Sequence, residues 1–371
     1  MSSLVKHPLL RNLNLPPAML TLLSRILEAN YKLGAKYLLG LVLLLNIRAF
    51  PFVWHFRVFR PVYRIWLGVL SVRLKSALLL RSPSQKHQAI EAYFHGRSPV
   101  GVNLLNHITI FRSFASIDES DYNLHLSNSS YAKALDGARF KAACDLFPHF
   151  LRAGGRIALA GTSFSFLKEI PILAPYEVRV SVQGWDSKWM YVVCKFVTKN
   201  KKSSTKKTAP SPPSTSFIND TSPGISIAPT PLPNPNPNSA STNLASVDAK
   251  LSSVDKEVEE GYTLHTVSIS QLCFKVGRIT VPPAVVFATN GMTSQPSSSA
   301  SALPKTYEKV REILSQRDGL KKLREVYKGG WRESPWVEFV EEAFRDIEEQ
   351  RKERTGVLSG AKSALEGARL L

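Results

Sequence analysis

A chain of 371 residues with 48 Lys and Arg, 29 Asp and Glu and a formal charge of +19 ordinarily points towards nucleic acid. The distribution argues otherwise, because Glu28 and Glu91 are the only acids between Met1 and Arg97, and the many Lys and Arg there are interleaved with aliphatic and aromatic runs. That mixture suits an anionic membrane surface better than a duplex. Cys144, Cys194 and Cys273 are few, odd in number and far apart, so neither a disulfide framework nor a metal spacing follows from them, and buried or incidental thiols facing a reducing compartment are expected.

Met1 to Pro17 reads as a tail. Met19, Leu22, Leu23, Ile26 and Leu27 recur on one side of an amphipathic helix over Ala18 to Tyr31. The strongest apolar run, Tyr37 to Ile47, is bracketed by Lys36 and Arg48 and is shorter than the roughly 20 residues a span needs. Extending it to Phe56 takes in Arg48, Pro51 and His55, so a kinked span, an interfacial hairpin and a helical layer on the following domain all stay open. Phe52 to Leu70 carries Trp54, Phe56, Phe59, Tyr63 and Trp66 among Arg57, Arg60 and Arg64, the composition of an interface belt. No cleaved signal peptide is expected, since the apolar core starts late and no small-residue cleavage site follows it. Residues 1–81 are thus a basic, apolar region of membrane-associated helices, and Ser82 to Val100 is a joining segment.

Ile108 to Ala115 alternates as a first strand. The stretch Ile117 to Phe140 organises the rest: Asp121 lies four residues before His125, and Asn128, Ser129 and Ser130 give the caps of a helix start. Tyr131, Leu135, Ala138, Ala142 and Leu146 then mark one helical face, on a helix kept thin by Ala132, Ala134, Gly137 and Ala143. Strands follow over Arg156 to Lys168, Tyr176 to Val182 and Lys188 to Thr198, with Gln183 to Ser187 as the turn between the last two. The Pro, Ser, Thr and Asn content of 199–260 cannot bury enough apolar area to offset its chain entropy, and predicts a disordered insertion between neighbouring strands. Closing strands are expected over Tyr262 to Phe274 and Ile279 to Phe287, completing a domain over 100–290. Two helices follow within 303–355: one from Tyr307 to Tyr327, interrupted near Gly319, and one with Ser334 as N-cap and Pro335 at its first position.

The order of strand, thin helix and strand meander resembles the hotdog-fold acyl-CoA thioesterase superfamily, whose loop signature D-x-D-x-x-x-H-x-N-N-x-x-Y and later A-R pair stand here as Glu119, Asp121, His125, Ser127, Asn128, Tyr131, Ala138 and Arg139. The match is strongest to the membrane-linked group called thioesterase superfamily member 6, through His107 to Arg112, Gly184 to Asp186 and Val281 to Pro283. Glu119 and Ser127 depart from the signature; Asp121 keeps the position of the catalytic carboxylate. The resemblance implies an α+β hotdog fold, an antiparallel curved sheet wrapped around a central helix, with N-terminal membrane-associated helices and C-terminal helices. It also implies an acyl-CoA or related acyl thioester substrate, a homodimer, no cofactor and no metal, and a membrane location in which the endoplasmic reticulum is the expected membrane.

Thioester hydrolysis needs a carboxylate or water aimed at the carbonyl carbon and positive charge for the oxyanion. Asp121 can serve as general base or nucleophile, and a helix beginning near Asn128 offers unpaired N–H groups and its dipole. By resemblance His125, Ser129 and Tyr131 contact substrate, while Asn128 positions water or caps the helix. Each also has a plainer role, Asp121 in binding loop N–H groups, His125 in packing and Asn128 as a cap. A non-enzymatic acyl-binding, lipid-binding or partner-binding hotdog protein at a membrane remains the alternative, motivated by Glu119 and Ser127. No Ser-centred elbow, Walker loop, H-E-x-x-H or C-x-x-C pair competes.

Overall fold

The structure, a computed structural model, describes residues 17–200, 261–294 and 303–367. The tail before residue 17, the expected insertion over 201–260 and the Ser-rich break over 295–302 lie outside the described residues. The chain divides into two compact units, Met1–Val197 with His265–Leu371, and Thr198–Leu264. In the second, the described ends close where the Asn200 N–H donates to the Gly261 carbonyl at 2.7 Å.

The two apolar stretches expected near the N-terminus form one helix, α1 (Pro17–Leu45), and the aromatic–arginine stretch forms α2 (Val53–Leu78). Leu38, Leu39, Leu41 and Leu44 of α1 are exposed. Among the described residues, no helix is long and apolar enough to cross a membrane. α2 has two sides: Phe56, Tyr63 and Trp66 are exposed, while Phe59 packs edge-on to Phe140 at 5.5 Å. α3 (Pro83–His95) occupies the segment read only as a joint; Ser82 and Gln85 form a reciprocal capping box and Pro83 pre-sets the first turn.

Six strands make one sheet in the order β1-β3-β4-β5-β2, with the short β6 beside β5. They are β1 (Thr109–Phe114), β2 (Arg156–Phe166), β3 (Pro175–Trp185), β4 (Met190–Lys199), β5 (Tyr262–Val276) and β6 (Ile279–Val281). The pairs β1–β3, β3–β4, β2–β5 and β5–β6 are antiparallel. Tyr176, Val178, Val180 and Val182 of β3 are buried against α4 (Asn128–Leu146), which the sheet wraps. The small residues make the close approach possible: a Cβ on Gly137 comes within 3.2 Å of the Phe111 ring on β1. Two boundaries differ from expectation. β3 continues through Trp185, with a bulge between Val182 and Gly184, so the turn falls after the expected one. The run after β6 is not a strand beyond Val281 but a helix, because Pro283 opens its first turn.

A short α5 (Pro148–Arg152) follows α4, and α6 (Pro283–Thr289) follows β6, with Phe287 edge-on to Trp185 of β3 and Phe274 of β5 at 5.1 and 5.8 Å. The C-terminal helices are α7 (Lys305–Ser315), α8 (Gly319–Lys328), α9 (Trp336–Phe344) and α10 (Glu348–Gly367). The expected interruption at Gly319 is the α7–α8 break; Pro335 stands before α9, after a cis peptide bond, rather than inside its first turn. Trp185, Phe287 and Phe344 meet at 5.1 and 5.4 Å from Trp185, so the Gly184–Asp186 and Val281–Pro283 motifs serve to seat these helices. Gly184 makes room for α10: a Cβ there falls 2.7 Å from Thr355 Oγ1.

Candidate functional site

The loop between β1 and α4 folds back on itself. The Asp121 N–H donates to the His125 carbonyl at 3.0 Å, and the Leu124 N–H returns to the Asp121 carbonyl at 3.1 Å, with Leu124 in the left-handed region at φ 61°. Leu126 and Leu124 are then tied to the 170–172 segment through Leu126 N to Ile170 O and Ile172 N to Leu124 O. This brings two sequence-predicted residues together: Asp121 Oδ2 lies 3.4 Å from His125 Nδ1, while Asp121 Oδ1 accepts from the Asn123 N–H at 2.9 Å. Glu169 Oε1 stands 3.2 Å from His125 Nε2, so the imidazole lies between two carboxylates. Sequence reasoning missed Glu169, because a partner 44 residues from His125 leaves no local pattern.

The N-cap of α4 is Ser127, not Asn128. Its hydroxyl turns to Ser130 Oγ at 2.8 Å and Ser129 Oγ at 3.2 Å, and no side chain caps the backbone there. The Ser130 N–H is taken up by the Ser127 carbonyl at 2.9 Å, and the N–H groups of the turn before it, with the helix dipole, make this end electropositive. Asn128 and Ser129 are exposed at its rim. Tyr131 is 2% exposed between the rings of Phe166 and Phe196, at 5.2 and 5.0 Å, so packing places it in the core.

Glu119, one of the two departures from the signature, is buried and bound by cations. Arg48 donates to Oε2 at 2.9 Å, Arg57 to Oε1 at 2.8 Å, Ser116 to Oε2 at 3.1 Å, and Lys133 Nζ lies 3.5 Å from Oε1. Burial alone would raise its carboxyl, but the hydrogen bond from Arg57 and the charges of Arg57, Arg48 and Lys133 outweigh that and hold it below the ordinary range. The Glu119 carbonyl also accepts from the Ser127 N–H at 3.0 Å, so one residue links the N-terminal helices to the start of α4. Two of the basic residues expected on a membrane-facing surface, Arg48 and Arg57, are therefore turned inward.

Beneath α4 lies a cavity of about 270 Å³, lined by the central helix, by β2 to β5, and by Trp54 and Val58 of α2. Arg139 and Asp136 at its margin pair at 2.6 Å, and Arg139 also donates to Thr162 Oγ1 and Ser270 Oγ at 2.9 Å. The cysteines are free and buried; burial pushes the Cys144 thiol up to about 11 and the Cys194 thiol to about 12, leaving both inert. Among the described residues, no group of three or more His, Cys, Asp or Glu is placed to hold a metal ion.

A sheet of this order wrapped around a thin helix, entered through an Asp–His loop, defines a hotdog domain. Residues 116–222 match the model of the Thioesterase-like superfamily, and the domain belongs to that hotdog superfamily. The chain is 31% identical over 180 residues to a "Probable thioesterase atnL" of Emericella nidulans, covering 42% of this chain and 52% of that protein. It is related also to the member 6 group, with 29% identity over 92 residues to "Protein THEM6" of Drosophila melanogaster, covering 24% of this chain and 48% of that one. The chain spans about half the length of the curated relatives it matches. A 1,4-dihydroxy-2-naphthoyl-CoA thioesterase structure from Synechocystis overlays 50% of this chain and 96% of its own at 6% identity and a TM-score of 0.29, too low to bear on the site.

Proposed function

We propose that the protein hydrolyses acyl-CoA or a related acyl thioester. The observation that carries this reading is the coupling of Asp121 and His125 in a loop that runs directly into the uncapped start of α4. In the reaction Asp121 acts at the thioester carbonyl as general base towards water, or as nucleophile, forming a mixed anhydride that water then cleaves to release the acid and restore the carboxylate. The N–H groups of the first turn stabilise the oxyanion, and the thiolate leaves as free thiol once protonated. His125, fixed between Asp121 and Glu169, orients the carboxylate; Asn128 and Ser129 meet the head group or the attacking water at the exposed rim. The family match over 116–222 and the relatives named as thioesterases support the reading.

Asp121→Asn keeps the loop's hydrogen-bonding shape and removes the base, and should lower kcat about 10²-fold to 10⁴-fold on acyl-CoA substrates. Equal rates for the two proteins would remove Asp121 from the chemistry. Absence of turnover by the unmutated protein, with acyl ligand retained through purification, would favour the alternative of a non-enzymatic acyl-binding hotdog protein, which Glu119 and Ser127 motivate.

Membrane attachment is part of the same proposal: α1 presents its exposed leucines beside Lys32 and Lys36, and Arg60 and Arg64 of α2 are exposed as well. Such a helix pair suits the interface of an anionic bilayer rather than a crossing. Sedimentation with vesicles containing phosphatidylserine checks it. We further propose a homodimer, with the edge strand β2 and its exposed Leu159 and Phe166 as the surface for a second copy.

A further inference from the structure

We propose that α2 forms the end wall of an acyl-chain pocket, and that Trp54 and Val58 set the length of chain the protein accepts. The proposal rests on the thioester reading above and adds its substrate class: long, unbranched acyl groups. Neither residue lies in the segment matched by the family model, which begins at residue 116.

Four features carry it. The cavity beneath α4, at about 270 Å³, is well above the roughly 150 Å³ of an apolar cavity that accepts benzene, so a compact acyl group leaves it largely empty. Its charged margin is already satisfied, since Arg139 is bonded to Asp136, Thr162 and Ser270, and Phe140, Leu146, Val182, Val192 and Leu272 offer apolar surface, with the indole Nε1 of Trp54, buried without a hydrogen-bond partner, also in the wall. A hydrocarbon is the ligand that such a wall recognises. The place along α4 matters next. Lining begins at Asp136, and the helix starts at Asn128, a separation of about 12 Å along the axis at about 1.5 Å per residue, so a ligand that fills the cavity with its carbonyl held at the helix start must cover that distance as an extended chain. Finally, the end wall is fixed. Arg57 is bound to Glu119 at 2.8 Å and Phe59 packs on Phe140 at 5.5 Å, on either side of Val58. A wall held this way sets a limit on length instead of yielding to a longer chain.

The test uses the full chain and a series of saturated fatty acids and non-hydrolysable acyl-CoA thioethers of increasing length, titrated by calorimetry. Affinity for the unmutated protein should rise about fourfold per added methylene until the cavity is filled, then level off. Val58→Trp should bring the levelling to shorter chains and Trp54→Ala should move it to longer ones; should Val58→Trp fail to fold, Val58→Leu shifts the limit in the same direction by a smaller step. Two variants that keep the unmutated limit, or an affinity indifferent to length, overturn the proposal. Binding needs no hydrolysis, so the two readings fail separately. Length-dependent binding without turnover removes the hydrolase and leaves the pocket; turnover with chain preference unmoved by either variant removes the pocket and leaves the hydrolase.

Discussion

The hotdog domain carries a helical layer at each end of the chain, and the two are fastened by different physics. The N-terminal pair is held where Arg48 and Arg57 close on the buried carboxylate of Glu119. The C-terminal helices are held where Trp185, Phe287 and Phe344 interlock, with Arg351 over the Trp185 ring at 5.7 Å. Aromatic burial is indifferent to proton and salt, whereas an ion cluster is only as good as its charges. The difference teaches where a site can be adjusted. The charged fastening lies two residues from Asp121, and the aromatic one belongs to the scaffold.

The sharpest way to break the aromatic side is Trp185→Ala, which empties the seat of α9 and should cost about 4 kcal/mol in urea unfolding. On the charged side, Glu119→Gln leaves Arg48 and Arg57 facing a neutral amide in a part-buried site and should cost roughly 3 kcal/mol. It should also lower kcat on acyl thioesters, because the Glu119 carbonyl and side chain together position the start of α4; an unchanged kcat would show that the ion cluster serves stability alone. A smaller effect is expected for Gly184→Ala, whose methyl meets Thr355 and should cost about 2 kcal/mol by forcing α10 outward. A melting curve that does not move would show that α10 lies further from β3.

Much of the scaffold that the two layers share was legible in the residues. Period-two runs gave β1 to β5 to within a few positions, and the Ala and Gly steps from Tyr131 to Leu146 gave a helix thin enough to be wrapped. The spacing of Asp121 and His125, with Asn128 to Ser130 after them, gave the loop, since its contacts are local and a local pattern encodes them. The fastenings were not legible. Arg48 and Arg57 are 71 and 62 residues from Glu119, and nothing in a basic, aromatic stretch says which of its arginines turns inward. The Val285–Val286 pair reads as strand by propensity, yet a helix forms, because Pro283 presets its first turn and the packing of Phe287 against Trp185 and Phe274 outweighs a weak β preference. For α3 the signal was present, in the Ser82 and Gln85 spacing around Pro83, and a search for capping boxes would have found it.

The last expected effect, at most about 1.4 kcal/mol for each pH unit, is the order in which two buried titratable groups, His149 and Glu119, cease to contribute on acidification. His149 of α5 is buried where Ser98, α5 and α7 meet, with Nε2 2.8 Å from Ser98 Oγ and 3.1 Å from Tyr307 Oη. Burial, with the nearby charges of Arg152 and His95, pushes its imidazole down to about 3 from an ordinary value of 6.5. A folded value depressed below the unfolded one means that the unfolded chain takes up the proton first. Stability at this junction is therefore full above about pH 6.5 and falls by at most about 1.4 kcal/mol per unit as the pH drops towards the folded value. Glu119 is depressed as well, from a lower starting point of 4.5, so its contribution stays intact until the pH passes below that value. Melting temperature should thus begin to fall near pH 6.5 in the unmutated protein and in Glu119→Gln alike, and His149→Gln should make that first descent shallower, while His95, His107 and His265, which burial also holds below the ordinary imidazole range, keep part of it. Below about pH 4.5 the unmutated protein should lose its advantage over Glu119→Gln, since protonation does to the carboxylate what the substitution did. If the two curves converge near pH 6.5 instead, Glu119 is not the group the arginines hold ionised, and the charged fastening must be assigned to other partners.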